Sequence, residues 1–193
     1  GMTIGTTELI FLIDREQDCA YYFKVADKNH IHITKRRTFL KSVSILDNVF
    51  YKKPLIKEIE ISELTSPLRI GYWGYNYDPT NDCLYITTAN EYRIAPNGTF
   101  LVTEIKLDSW EVKQYEVTNT TDVYIQSNSS WHMYVYEGFL FVRGYDSPYE
   151  LYKIQINNPA NVVKFKRINT GAVSGYPKAY INGRLYYECN DDQ

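Results

Sequence analysis

Short apolar runs broken by Asn, Asp, Gly and Pro follow one another from Leu9 to Tyr187, and no window sustains a 3.6-residue period. The best helical candidate, Ile61 to Ser66, is stopped by Pro67. Strands separated by turns are the expected elements throughout. The runs are of two kinds. Met133 to Val142 is apolar at every position apart from Glu137-Gly138, whereas Glu58-Ile59-Glu60-Ile61 alternates strictly. A half-buried strand alternates, and a membrane helix needs about 20 unbroken apolar residues. The first kind therefore predicts strands covered on both faces, and the second predicts strands with one face in water.

Two motifs recur. One is a turn followed by a bulky apolar residue and an aromatic: Asp47-Asn48-Val49-Phe50-Tyr51, Asn81-Asp82-Cys83-Leu84-Tyr85, Glu137-Gly138-Phe139-Leu140-Phe141 and Asn182-Gly183-Arg184-Leu185-Tyr186, with a weaker copy at Gln17-Asp18-Cys19-Ala20-Tyr21. Its anchors at 50, 84, 140 and 185 are 34, 56 and 45 residues apart. The other motif is aliphatic at alternate positions: His30-Ile31-His32-Ile33-Thr34, Glu58-Ile59-Glu60-Ile61-Ser62, Glu104-Ile105-Lys106-Leu107-Asp108 and Lys153-Ile154-Gln155-Ile156-Asn157. The two motifs alternate along the chain. Further strands are expected at Val112–Val117, Trp131–Tyr136, Val162–Ile168 and Tyr176–Ile181, so each clear unit holds about four strands joined by hairpin turns such as Asn182-Gly183.

Four antiparallel strands at this period are what a propeller blade requires, and over roughly residues 7–190 the chain resembles β-propeller repeat proteins. It has neither a Trp-Asp signature nor a kelch-type double glycine. The expected fold is an all-β, propeller-like array of four to five blades in one domain, with units near 7–40, 41–70, 71–118, 130–170 and 175–190. Tyr176 to Cys189 supplies only two strands of the fifth unit, while Glu8 to Val25 reads as the first hairpin of the first. Either Leu9–Ile13 instead completes the last blade, or the array is open. An open array exposes a sheet edge and a blade face, which favours self-association through the terminal strands.

Composition adds little to this architecture. Gly1 ahead of Met2 reads as an expression remnant, and residues 1–6 as a tail. Leu9–Ile13 is too short for a signal or membrane segment, so a cytoplasmic protein is the default expectation; a secreted one whose leader was removed would look the same. A net charge of −2 with interspersed signs argues against nucleic acid and anionic membrane as partners. The short basic cluster Lys35-Arg36-Arg37 reads as a solvated strand end. Cys19, Cys83 and Cys189 are too far apart and too few for a disulfide framework, and read as buried or free thiols. The outlier is 19 Tyr, 8 Phe and 3 Trp, which suits strands and surfaces that need an apolar body with a polar tip.

Trp73 and Trp131 stand at matching places before the first strand of their units, and Tyr176 matches them. In the propellers the chain resembles, that place lies near the central axis on the binding face. There these aromatics would stack on sugar rings or partner side chains, or else plug the hub. His132, Arg143, Asp146 and Arg93 border the same face, together with Tyr92 and Tyr145. His30-x-His32 has zinc-like geometry with only Asp27 as a local third ligand, and reads as a solvent face. Asp78-Pro79-Thr80-Asn81-Asp82 clusters oxygens as calcium would want, but reads as a hairpin turn. Gly138 to Val142 brushes against an RNA-recognition signature without its basic residue. Sequons stand at Asn97, Asn119 and Asn128.

No nucleophile elbow, phosphate loop or metal helix is present, so no catalytic residue, metal or cofactor is assigned. The expected function is a non-catalytic binding or scaffolding module that offers an aromatic-rich face to a protein or glycan. One alternative is an assembly subunit whose unfinished terminal blade pairs with another chain. A propeller-type glycoside hydrolase or lyase is the enzymatic alternative.

Overall fold

A computed structural model describes residues 4–5, 7–38, 54–61, 64–127, 133–146, 149–165 and 175–189, the last segment with side chains only at 180–186. Among the described residues the chain is all-β with no helix, and so has none long and apolar enough to cross a membrane. They fall into two compact units, Thr3–Pro67 and Leu68–Gln193, where the sequence suggests one domain over 7–190.

The first unit is one antiparallel meander: β1 (Leu9–Asp14), β2 (Cys19–Asp27), β3 (His30–Arg37) and β4 (Leu55–Ile61), paired in that order. The N-terminal segment thus forms the first hairpin of the first sheet, with Asp14 opposite Cys19. Ile31 and Ile33 are fully buried while His30 and His32 are half-buried on the other face, as the alternation predicts. Strand β4 runs along β3 with Ile61 opposite Ile31 and Ile59 opposite Ile33. Leu55–Ile61 is therefore the fourth strand of the first sheet, whereas the sequence suggests a separate unit, 41–70. The alternation of Glu58-Ile59-Glu60-Ile61 specifies which face is buried and is silent on which neighbour supplies the ladder. The turn motif expected at Asp47–Tyr51 lies outside the described residues.

The second unit holds two more four-stranded antiparallel sheets and a hairpin. One sheet is β5 (Tyr72–Asp78), β6 (Cys83–Ala89), β8 (Thr99–Lys106) and β9 (Val112–Thr118), and the other is β11 (Met133–Tyr136), β12 (Phe139–Arg143), β13 (Leu151–Gln155) and β14 (Val162–Lys164). The two-residue strands β7 (Arg93–Ile94) and β10 (Ile125–Gln126) pair with each other, and β15 (Gly175–Ile181) with β16 (Arg184–Cys189). Each copy of the turn motif that is described closes the first hairpin of its sheet. Glu137-Gly138 and Asn182-Gly183 put both central residues at positive φ, between 51° and 82°, the signature of two-residue hairpins whose twist matches the strands.

The two kinds of apolar run now have a cause. Leu140 and Val142 face Cys83, Tyr85, Phe100, Val102 and Val117 across a core shared by the two sheets. Phe141, on the opposite face of β12, packs on Tyr180 at 4.8 Å and Phe165 at 6.0 Å between ring centroids. Leu140, Phe141 and Val142 are all fully buried, so β12 is covered from both sides. Each such side chain contributes about 1.5–3 kcal/mol by leaving water. Phe141 has no surface on which a base could stack, which removes the RNA-recognition resemblance. Strand β6 is buried at all seven positions, whereas β9 is mostly half-buried and β14 is exposed at two of three positions.

Within this core Tyr85 donates to Glu104 Oε2 at 2.8 Å. Burial, reinforced by that bond, pushes the Tyr85 phenol well above the ordinary tyrosine range. Burial, and then the Glu104 carboxylate, pushes the Cys83 thiol up to about 11. Cys19 is likewise a buried free thiol with its pKa raised by burial. The side chain of Cys189 is outside the described set.

Strands β5 and β11 each pair on one side only, and side chains join them on the other. Asn76 donates from Nδ2 to the Val135 carbonyl at 2.8 Å and accepts from the Val135 amide at 3.0 Å. Asp78, 1% exposed, accepts from the Glu137 amide at 2.8 Å and Asn81 Nδ2 at 3.2 Å through one oxygen, and from the Thr80 amide at 3.0 Å through the other. Asp78–Asp82 is thus a turn whose carboxylate oxygens are already engaged. Asn76→Ala orphans both backbone groups of Val135 and is expected to lower the unfolding free energy by about 2–4 kcal/mol. Asn76→Asp keeps the acceptor and should lose about half of that. Asp78→Asn turns an amide N–H toward existing donors, at an expected cost of about 1–3 kcal/mol. Urea unfolding measures all three; shifts under about 0.5 kcal/mol throughout would show that the joint is not what holds the sheets.

Candidate functional site

The residues singled out from sequence divide as follows. Trp131 and His132 lie outside the described residues, as does the side chain of Tyr176, whose backbone is in β15. Trp73 sits inside β5, half-buried and stacked on Tyr75 at 5.7 Å and 14°. By register, Trp73 shares a sheet face with Thr88 and Ile86, the face opposite the one that carries Asn76 toward β11. Arg93, Arg143 and Asp146 gather at one end of the sheets.

Alternation places the first two of these. Ile94 and Ile125 point into the core, so Arg93, Gln126 and Tyr124 must turn away from it. Arg93 is opposite Gln126 in the β7–β10 pair, and Gln126 Oε1 accepts a bond from Arg143 Nη2. The pair continues to the end of β12 through the bridge of Ile125 with Gly144 and the bond from the Tyr145 amide to the Tyr124 carbonyl. Ser127 closes the other side, its amide bonding the Tyr92 carbonyl and its hydroxyl the Glu91 carbonyl. Arg143 is half-buried over the Tyr149 ring at 5.0 Å, and burial lowers its pKa. Asp146 is exposed just beyond Tyr145.

Asn119 holds this rim from beneath. It is fully buried; Nδ2 donates to the Ile94 and Val123 carbonyls, each at 2.9 Å, and Oδ1 accepts from the Thr121 amide at 3.1 Å and hydroxyl at 2.6 Å. One amide thereby ties the segment ending in Tyr124 to the strand that carries Arg93. Its nitrogen is committed to two carbonyls, so a glycan on the Asn119 sequon is incompatible with this fold. Asn97 is exposed, and Asn128 lies outside the described residues. Gly71 presses close behind: a Cβ there would stand 2.8 Å from the carbonyls of Ala89 and Asn90.

At the surface Arg93 is ringed by tyrosines. Its guanidinium lies 4.7 Å from the centroid of Tyr124, 5.2 Å from Tyr145 and 5.8 Å from Tyr92. Tyr92 meets Tyr145 edge-on at 5.5 Å and Tyr72 at 5.9 Å. The hydrogen bond between the Tyr145 and Tyr92 hydroxyls raises the pKa of Tyr145. Beside the cage is a cavity of about 570 Å³ lined among others by Arg69, Asn90, Glu91, Arg93, Thr99 and Tyr124. Arg69 reaches Thr99 Oγ1 at 3.3 Å and Glu116 at 3.6 Å. Trp73, Arg143 and Asp146 do not line it.

Elsewhere His30 Nδ1 meets the Asp27 carboxylate at 2.7 Å, and the Asn29 amide, followed by His30, lowers the pKa of Asp27. No group of three His, Cys, Asp or Glu suited to a metal occurs among the described residues. Tyr124, Arg69 and Asn119 were not singled out from the sequence as parts of a site. The available signal was Tyr124-Ile125-Gln126-Ser127, a four-residue alternation too short to weigh alone. Comparisons with protein-family models, curated proteins and solved structures find no match.

Replacing Asn119 by Ala should destabilise the unit by about 3–5 kcal/mol, since it strands two buried carbonyls and a buried amide. It should also weaken the near-ultraviolet circular dichroism of the tyrosine cage below the unfolding transition. An unchanged spectrum together with an unchanged urea midpoint would show that the rim is held by other contacts.

Proposed function

We propose that the chain is a non-catalytic binding module, a propeller-like stack of β-sheets that presents an aromatic-rich rim to a glycan or protein ligand. The observation that carries the reading is the exposed Arg93 inside three tyrosine rings beside a cavity of small-ligand size. The stacking supports the propeller part: a four-stranded meander, a second one and a hairpin cover each other face to face, with the first strands β5 and β11 side by side. The glycoside hydrolase alternative requires a pair of carboxylates. Among the described residues that line this cavity, Glu91 is the one acid.

A second reading, assembly through a terminal sheet, has its own observation. Strand β16 has a neighbour on one side only among the described residues, and Ile181 and Tyr186 of the hairpin are each 53% exposed. An edge and an apolar face of this kind invite another strand.

On arrays of glycans and of peptides, the protein should bind a subset of spots that the double variant Arg93→Ala, Tyr124→Ala does not bind. The variant's melting temperature should change by less than about 4 °C, as expected for exposed side chains. Identical patterns for both proteins would place binding elsewhere, and no retained spot on either array would count against a binding module. For the assembly reading, light scattering over a range of concentrations should report a dimer or larger species that Tyr186→Lys dissociates. A monomer at every concentration would eliminate it.

A further inference from the structure

The hydrogen-bonding edge of Arg93 is uncommitted. Arg93 is exposed, and among the described residues no carboxylate pairs with it and no acceptor takes its N–H donors. The cation is held by ring faces instead, at 4.7–5.8 Å, a contact that fixes a guanidinium without consuming its hydrogen-bonding edge. Arg69 adds a second cation to the lining, held to a Glu116 side chain that is itself 64% exposed. Glu116 thus answers Arg69, Glu91 is the acid of the described lining, and the Arg93 fork is left uncommitted. A preorganised planar fork whose N–H edge is uncommitted suits a carboxylate, which it can take bidentately.

Size and lining narrow the class further. A cavity of about 570 Å³ is within the range of small-ligand sites, whereas a stable protein partner spreads over about 20–30 residues a side. Its walls carry groups that recognise hydroxyls, the Asn90 amide, the Thr99 hydroxyl and the Tyr124 phenol, beside the apolar Ile94 and Ala95. Tyr92 and Tyr124, 36% and 40% exposed, add flat faces with polar tips, on which the C–H face of a pyranose can rest.

We propose that this cavity binds an acidic saccharide, with Arg93 taking the carboxylate of a uronic or sialic acid residue and the tyrosines packing on its ring. The proposal rests on the binding-module reading and gives its ligand a chemistry.

The test titrates the full chain with digalacturonate, glucuronate and sialyllactose, read by saturation-transfer NMR and calorimetry. The methyl ester of digalacturonate, lactose and penta-glutamate serve as controls. At least one acid should bind, its uncharged counterpart at least tenfold more weakly, and binding should weaken as salt rises. Arg93→Gln should reduce affinity tenfold or more. Arg93→Lys should also lose several-fold, since a point charge replaces the fork. If Arg93→Gln does not fold, the methyl ester decides alone, because it removes the charge from the ligand and leaves the protein untouched. Equal binding of ester and acid, undiminished binding by a folded Arg93→Gln, a preference for penta-glutamate, or no binding of any acid each overturns the proposal. Neutral-sugar or peptide binding that Tyr124→Ala abolishes would still leave the binding module standing; silence from every probe here and on the arrays would remove both.

Discussion

Two strand edges that never form a ladder set the geometry of the larger unit. Strands β5 and β11 each spend one edge on their own sheet and lie beside each other with no ladder between them. Backbone amides and carbonyls left there without partners would carry the full cost of desolvation. Asn76 answers with both ends of its amide, imitating on Val135 the two-point exchange a neighbouring strand would make. Asp78 does the same for the Glu137 amide while it fixes its own turn, and Thr80 Oγ1 reaches Glu137 across the two hairpin tips. These bonds run from side chain to backbone, so they join the two sheets without a continuous ladder. The apolar faces then close on each other from Cys83 and Tyr85 to Leu140 and Ile154.

The rim depends on that closure. Once the core claims Ile94 and Ile125, the alternation of a two-residue strand leaves Arg93, Tyr124 and Gln126 no other direction than outward. Strands this short have little ladder energy of their own, so Asn119 and Ser127 supply the missing hydrogen bonds. The proposed site thus lies on the least regular part of the unit, held in place by its most regular part.

What the sequence made legible follows from the range of the interaction concerned. Turn chemistry is local, and the turns at Asp18, Asp82, Glu137-Gly138 and Asn182-Gly183 are where the repeated motif puts them. The contrast between fully apolar and alternating runs is a local consequence of burial, and β12 and β3 carry it plainly. Partner choice is not local. The Ile-x-Ile alternation of β4 suits the outer strand of any sheet, so nothing in it assigns Leu55–Ile61 to the first. The bonds from Asn76 and Asp78 to β11 join residues 59 apart and have no period to find. Asn119-Thr120-Thr121 reads as a glycan acceptor, while in the fold its amide is the buried bracket of the rim. Of the proposed contacts, Arg93 opens β7 and Arg143 ends β12, with Asp146 in the turn that follows; Trp73, expected just ahead of the first strand, is the second residue of β5.

The choice of rings over a carboxylate to hold Arg93 is itself informative. An exposed ion pair is worth about 0–1 kcal/mol, and an exposed cation–π contact about 0.5–1 kcal/mol, so three rings restrain a guanidinium at least as well as one acid. The two solutions differ in what they leave free. A carboxylate partner occupies the N–H edge and cancels the charge; ring faces leave both available. A chain selected only to keep an arginine quiet at this position would gain nothing from assembling Tyr92, Tyr124 and Tyr145 from three separate segments. A chain that needs the cation fixed in direction, charged and open on its hydrogen-bonding side has reason to do so.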